Sequence, residues 1–261
     1  MIKEKITEII VQKDSNEHYH SHQSISASGL KRIAEESVDD LVNGKKIKET
    51  PAMKLGTAIH AKLIETDIYD ELYYHMPYIE NGRTKEGIAL KKEALEKADG
   101  KIPLSFDEAE KVMGVYNRFK ENDRAKKYCK GKIELSHYIK YDGIDVRVRP
   151  DIIGNNNEFI ADIKTCQSSN PNKFRRDIYN RGYHIQAAFY MDMLGIDEFR
   201  FVLCPTNPPY RIEVVRISDD KIEQGRLLWK AAFKDWKAYI KTGIVPGPSW
   251  EQTTDDGCLI I

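Results

Sequence analysis

The sequence predicts a mixed α/β (α+β) fold, with a central mixed β-sheet flanked by helices. Helical periodicity dominates the first half after one short β-branched run. Strand patterns cluster between residues 132 and 217, interrupted by a single helical run. A long amphipathic pattern then closes the folded part at residues 219–243. That order (helices, three strands, helix, two strands, helix) makes one mixed core. No composition shift marks a boundary, so residues 1–261 are read as a single domain. Its helical part spans 20–128, its sheet core about 132–217 and its C-terminal helix 219–242.

Taken in order, ITEIIV near the N-terminus is short and β-branched and reads as a strand, followed by the polar lead-in QKDSNEHYHSHQ. Ser26 or Ser28 is placed to cap a helix that ends near Gly44. Pro51 opens a second helix over 51–67, because a missing N–H costs nothing in a first turn. Residues 69–105 are mixed and polar, with a charged helical piece near 87–100. A third helix covers 106–123. Residues 132–154 read as two strands about Tyr141-Asp142-Gly143, an Asp-Gly turn signal. EFIADIKT is another strand, residues 171–195 form a helix stopped by Gly195, and FRFVLCPT and YRIEVVRI are strands. The tail from Val245 is irregular.

The chain of 261 residues is long enough to bury a proper core, and 41% of it is hydrophobic. That share, with zero net charge, excludes a disordered chain. No apolar run approaches the ~20 residues that cross a bilayer. The charged N-terminus lacks the apolar stretch of a secretory signal, so a cytoplasmic protein with reduced thiols is expected. Balanced charge, 41 basic against 41 acidic residues, argues against coating nucleic acid through bulk charge. Four scattered cysteines, without CxxC spacing, predict neither a zinc site nor an iron–sulfur cluster. Ser and Cys nucleophile motifs, a P-loop and GxGxxG are absent.

Five groups of residues carry potential chemistry. Asp162 and Lys164 alternate on one strand and share a face, about 7 Å apart. The GNNNE turn brings Asp151 back towards them. Paired carboxylates suit a hard divalent cation, and an adjacent Lys suits orienting water or neutralising charge on phosphorus. A solvated hairpin with a surface ion pair has the same pattern. Gly56 and His60 lie on one helix face, where Gly allows close approach beside an imidazole that either ligates or is structural. Gln186 and Tyr190, also four apart, read by themselves as an exposed polar strip. Lys173, Arg175, Arg176 and Arg181, with Arg147 and Arg149, stand among aromatic residues, as phosphate clamps do, and equally as a solvated face does. His18, His20 and His22 alternate and would chelate from one side of a strand, although a polar lead-in fits them better.

In sequence order, Gly56-x-x-x-His60, Arg149-Pro150-Asp151, Ala161-Asp162-Ile163-Lys164-Thr165 and Gln186-x-x-x-Tyr190 resemble the motifs of PD-(D/E)XK nucleases of the RecB/RecE type. Ile25-Ser26-Ala27-Ser28-Gly29-Leu30-Lys31 and residues 133–190 resemble the RecE (exonuclease VIII) nuclease domain of phage and prophage origin. The resemblance implies a restriction-endonuclease-like core, with His60, Asp151, Asp162 and the carbonyl of Ile163 as ligands of Mg²⁺ (or Mn²⁺ in its place). It implies Lys164 as the catalytic lysine, Gln186 and Tyr190 as supports of site and DNA, and Glu134 as an auxiliary acid. The cysteines that hold a cluster in some RecB-like relatives are missing, so no iron–sulfur cluster is expected. The implied activity is digestion of one strand from a duplex DNA end, 5′ to 3′, leaving 3′ tails for recombination by a RecT-like annealing protein. A ring-shaped homo-oligomer in a bacterial or phage-infected cytoplasm, with no membrane association, completes the expectation. An endonuclease or structure-specific nuclease of the superfamily, or a silent DNA-binding module of the same fold, is the alternative. Net neutrality then predicts segregation, with the six basic residues on the DNA side and Glu35, Glu36, Asp39 and Asp40 elsewhere.

Overall fold

A computed structural model describes residues 3–45 and 48–246. Strand β1 (Ile6–Lys13) leads to helix α1 (Asn16–Ser21), capped where the Ser15 hydroxyl accepts the His18 N–H. The segment expected as a polar lead-in, or as a chelating strand, is therefore helical. His18 stands 3.8 Å from Asp14 while His22 Nδ1 meets the Ser24 hydroxyl at 2.8 Å, so the three histidines do not converge. A short strand β2 (Ile25–Ser26) then runs into α2 (Ala27–Glu35), with Ser26 as N-cap.

The helix expected to continue to Gly44 breaks at Glu36. Ser37 takes the Asp40 N–H at 3.0 Å and starts a separate helix, α3 (Val38–Val42), because a serine hydroxyl competes well for a free backbone donor. Thr50 and Pro51 open α4 (Pro51–Ile64), followed by α5 (Thr66–Leu72). Next come β3 (Tyr73–His75), α6 (Lys85–Ala98), β4 (Ile102–Leu104) and α7 (Phe106–Lys120), the last starting at a Ser105/Glu108 capping box. Asn122 caps a further short helix, α8 (Asp123–Tyr128), which helical periodicity alone does not separate from α7.

The strand-rich part comprises β5 (Lys132–Ile133), β6 (Leu135–Tyr141), β7 (Ile144–Val148), β8 (Ile152–Ile153) and β9 (Ile160–Cys166). β6 and β7 form the expected hairpin, with Asp142 and Gly143 both at positive φ in its turn. After β9 the expected single helix is two, α9 (Pro171–Asn180) and α10 (Tyr183–Leu194). The break is at Gly182, whose φ is +57° and whose missing Cβ leaves room for the Lys31 side chain of α2. The chain closes with β10 (Phe199–Pro205), β11 (Glu213–Val215) and the long helix α11 (Asp219–Thr242). Most of the expected irregular tail, including Cys258, lies outside the described residues.

Two larger sheets organise these elements, beside a two-stranded parallel pair of β3 and β4. One has the order β1-β6-β7-β2; the other is mixed, in the order β11-β10-β9-β8-β5, with β9 and β10 parallel and their outer neighbours antiparallel. Alternate side chains of β9 and β10 feed opposite faces of the mixed sheet. Ile160, Phe199, Phe201 and Leu203 join a core with α2, α9, α10 and α11. Ala161, Ile163, Val202 and Cys204 join a second core with α4, α5, α7 and α8. With helices on both faces, β9 is internal, and a polar side chain on it is buried rather than solvated. No helix among the described residues is long and apolar enough to cross a membrane.

A candidate carboxylate–lysine active site

β8 is only two residues long, and its ladder to β9 ends at the pair Ile152 and Ala161. Beyond that point the chain turns away, and the Asp151 carboxylate takes the place of the missing strand. Its Oδ2 accepts the Ile163 N–H at 2.6 Å. The hairpin geometry thus puts Asp151 beside Asp162 and Lys164 without any further device. Asp162 is 2% exposed, so the surface ion pair allowed by the sequence does not exist. Lys164 Nζ contacts Asp162 Oδ1, and Gln186 Nε2 donates to Oδ2 at 2.7 Å. Gln186 and Tyr190 are therefore inward-facing, and the exposed-strip reading fails. α10 lies between the sheet and α11, so Tyr190 is buried, its hydroxyl donating to the Arg149 carbonyl at 3.4 Å.

α4 brings His60 from the other face of the sheet. It can come this close because Gly56, one turn earlier, faces Thr165. A Cβ there would stand 3.1 Å from Thr165 Oγ1. His60 Nε2 is 2.6 Å from Asp151 Oδ2, and His60 Nδ1 is 3.2 Å from Glu134 Oε1. Glu134 sits between β5 and β6 at φ +47°, with its N–H on the Asp151 carbonyl at 3.0 Å. A left-handed non-glycine residue is uncommon, and here it aims a carboxylate at His60.

The charges are strongly interdependent. Burial disfavours the His60 imidazolium, but Asp151 and Glu134 outweigh it and raise His60 to about 10. Burial likewise opposes the Asp151 charge, yet His60 holds that carboxyl below its ordinary value. Burial and the Asp151 charge together push Asp162 up. Lys164 stays above its ordinary value because Asp162 and Asp151 overcome the cost of its burial.

Among the described residues no three His, Cys, Asp or Glu side chains stand as a ready-made ligand group. The donor set of Asp151, Asp162 and His60, carboxylate oxygens and one imidazole, with the Ile163 carbonyl, nevertheless fits a hard divalent cation.

A cleft of about 810 Å³ opens on this cluster, lined by His60, Glu134, Ile163, Lys164, Arg181 and Tyr183 among others. Asn16 and His20 of α1 also line it, a contribution hidden in the sequence because the local pattern does not mark α1 as a helix. Lys173, Arg175 and Arg176 are exposed on α9, which runs up to Arg181. Arg147 is a correction: expected on a DNA-facing side, it is 8% exposed and donates to the carbonyls of His22 and Ser24. Arg149 stacks over Tyr19, 4.3 Å from the ring centre, and contacts Asn16. Nor is the acid wholly segregated, since Glu35 packs against Gly182, next to Arg181.

A mixed sheet with a carboxylate and a lysine two residues apart on its central strand, and a second carboxylate just before the neighbouring strand, defines a PD-(D/E)XK-like domain. The chain belongs to the family described as a PDDEXK-like domain of unknown function (DUF3799), whose profile matches residues 26–249. Its fold is similar to that of a putative exonuclease from Eubacterium rectale, with a TM-score of 0.59 and 13% identity over 89% of this chain and 88% of that one. A phage-related exonuclease from Haemophilus somnus 129PT aligns with 18% identity and a TM-score of 0.36, over 88% of this chain and 100% of that one. No curated protein matches the chain.

Proposed function

We propose that the chain, acting as one domain over residues 1–261, is a Mg²⁺-dependent exodeoxyribonuclease that digests one strand of linear duplex DNA from its end. The observation that supports this most is the meeting of His60, Asp151, Asp162 and Lys164 beside one cleft. His60, Asp151 and Asp162, with the Ile163 carbonyl, would hold the cation, and Mn²⁺ would substitute. When bound, the ion supplies Lewis-acid polarisation of the scissile phosphate. Lys164, held as an ammonium, donates hydrogen bonds that orient the attacking water and stabilise charge on the phosphoryl oxygens. Gln186 fixes the Asp162 carboxylate, and Tyr190 ties α10 to the Arg149 backbone. Glu134 holds His60. Arg181 at the cleft, continued by Lys173, Arg175 and Arg176, would grip the phosphate backbone without reading bases.

The fold shared with the putative exonuclease from Eubacterium rectale supports attack from an end. Polarity of 5′ to 3′, delivery of 3′ tails to a RecT-like annealing protein and a ring-shaped homo-oligomer belong to the same RecE-type reading. Linear duplex incubated with Mg²⁺ tests it: wild type degrades the DNA, and Asp162→Ala and Lys164→Ala do not. Intact linear DNA, or variants as active as wild type, would refute the reading. A covalently closed circle cut at the same rate would make the protein an endonuclease.

A further inference from the structure

We propose that the lysine-bearing face of α11 is a second, sequence-independent contact for the phosphate backbone of duplex DNA, separate from the cleft. The proposal rests on the nuclease reading and goes beyond it. A cavity of about 530 Å³ is lined by Lys5, Lys230, Lys234 and Lys237, with Asp142 the single acid among its lining residues. None of these residues lines the cleft. Asp142 is already shared, 3.3 Å from Lys5 and 2.7 Å from Lys237. Lys230, Lys234 and Lys241 enter no ion pair among the described residues.

The spacing organises these charges. Lys230, Lys234, Lys237 and Lys241 follow one another at four, three and four residues, so they share one face of α11. Like charges at such spacing destabilise a helix. The helix dipole compensates only within the last turn, which accounts for Lys241 and not for Lys230 or Lys234. Asp142 answers Lys237, but among the described residues Lys230 and Lys234 have no such partner and are open to an anionic counterpart.

A phosphate backbone fits that counterpart better than an acidic peptide. The row is straight and about 16 Å long, a span of about five 3.4 Å steps along a DNA strand, and the proposed duplex substrate brings such a continuous phosphate backbone to the protein. The aromatic floor of the cavity is closed to bases: Trp229, Tyr141 and Phe233 are 0%, 4% and 5% exposed. Charge is offered without a stacking platform, which suits backbone contact and not base recognition.

The test is the salt dependence of binding, measured by fluorescence anisotropy with a labelled blunt duplex and the full chain in EDTA. Three proteins are compared: wild type, a Lys230→Gln/Lys234→Gln/Lys237→Gln variant, and a Lys173→Gln/Arg175→Gln/Arg176→Gln variant. Neutralising one lysine that touches a phosphate flattens the slope of log affinity against log salt by about 0.9. The α11 variant should show about one to three such decrements at unchanged circular dichroism, and equally for duplexes of different sequence. An unchanged slope in that variant overturns the proposal, while the α9 variant reports separately on the basic residues proposed to continue the cleft. If the α11 variant loses affinity for polyglutamate and not for DNA, the face belongs to an acidic polypeptide and the proposal is wrong. Absence of duplex binding by wild type both in EDTA and with Ca²⁺ present would overturn the nuclease reading itself.

Discussion

His60 carries a carboxylate on each ring nitrogen, Asp151 on Nε2 at 2.6 Å and Glu134 on Nδ1 at 3.2 Å. Both nitrogens act as donors, so the ring is an imidazolium, raised to about 10 against an unfolded value near 6.5. A group whose folded value is raised stabilises the fold fully below its unfolded value, and loses that contribution as pH climbs through the folded value. The unfolding free energy of wild type minus that of His60→Gln should therefore shrink steadily between about pH 7 and about pH 10. Denaturant melts across that range check it, and a constant difference would show that His60 is neutral in the fold.

Glu134 sets which His60 nitrogen faces Asp151. A hydrogen-bonded carboxylate fixes the tautomer and orientation of a ligating histidine, and losing it typically costs 10–100-fold in metal affinity, by an order-of-magnitude rule. Glu134→Ala should weaken Mn²⁺ binding by about that factor. Glu134→Gln, whose amide oxygen still accepts from Nδ1–H, should recover most of it. Equal loss in both variants, read by titration calorimetry, would make the charge of Glu134 and not its hydrogen bond the active property.

Local signals in the sequence reach far into this site. Alternation along residues 159–165 puts Asp162 and Lys164 on one face, and the GNNNE turn returns Asp151 to them, because period-two geometry and tight turns act over a few residues. Burial is not legible in the same way. Gln186 and Tyr190 look like a solvated strip because nothing in their own helix announces that α11 covers α10 from outside. Arg147 and Arg149 look alike in an alternating strand, yet Tyr19 of the distant α1 lies under both, and only the fold shows it. The breaks at Ser37 and Gly182 are similarly hidden. Each sits in a stretch whose helical periodicity continues across it, and a capping hydroxyl or a close approach by Lys31 decides the matter.

Cation uptake should release protons. At about pH 7 His60 is protonated in the metal-free chain, and Asp162 holds its proton more tightly than an ordinary carboxyl. A metal on Nε2 requires the first proton to leave and favours loss of the second. Mn²⁺ calorimetry in buffers of different ionisation enthalpy should give a slope of about one proton or more per ion. A slope of zero would remove His60 from the ligand set.

Arg147 should behave as a structural residue, although it occupies a basic stretch that reads like a DNA contact. Its guanidinium is buried, lies 5.1 Å from the Tyr19 ring centre and donates to the His22 and Ser24 carbonyls, thereby fixing the chain between α1 and β2. Arg147→Gln cannot span the same acceptors and would leave buried carbonyls unpaired, at a cost of about 2–4 kcal/mol in unfolding free energy. A residue that does not reach solvent releases no counterions, so the salt slope of duplex binding should stay at the wild-type value. Urea melts and anisotropy titrations of one variant read both quantities. A flattened slope at unchanged stability would return Arg147 to the DNA surface from which its burial removes it.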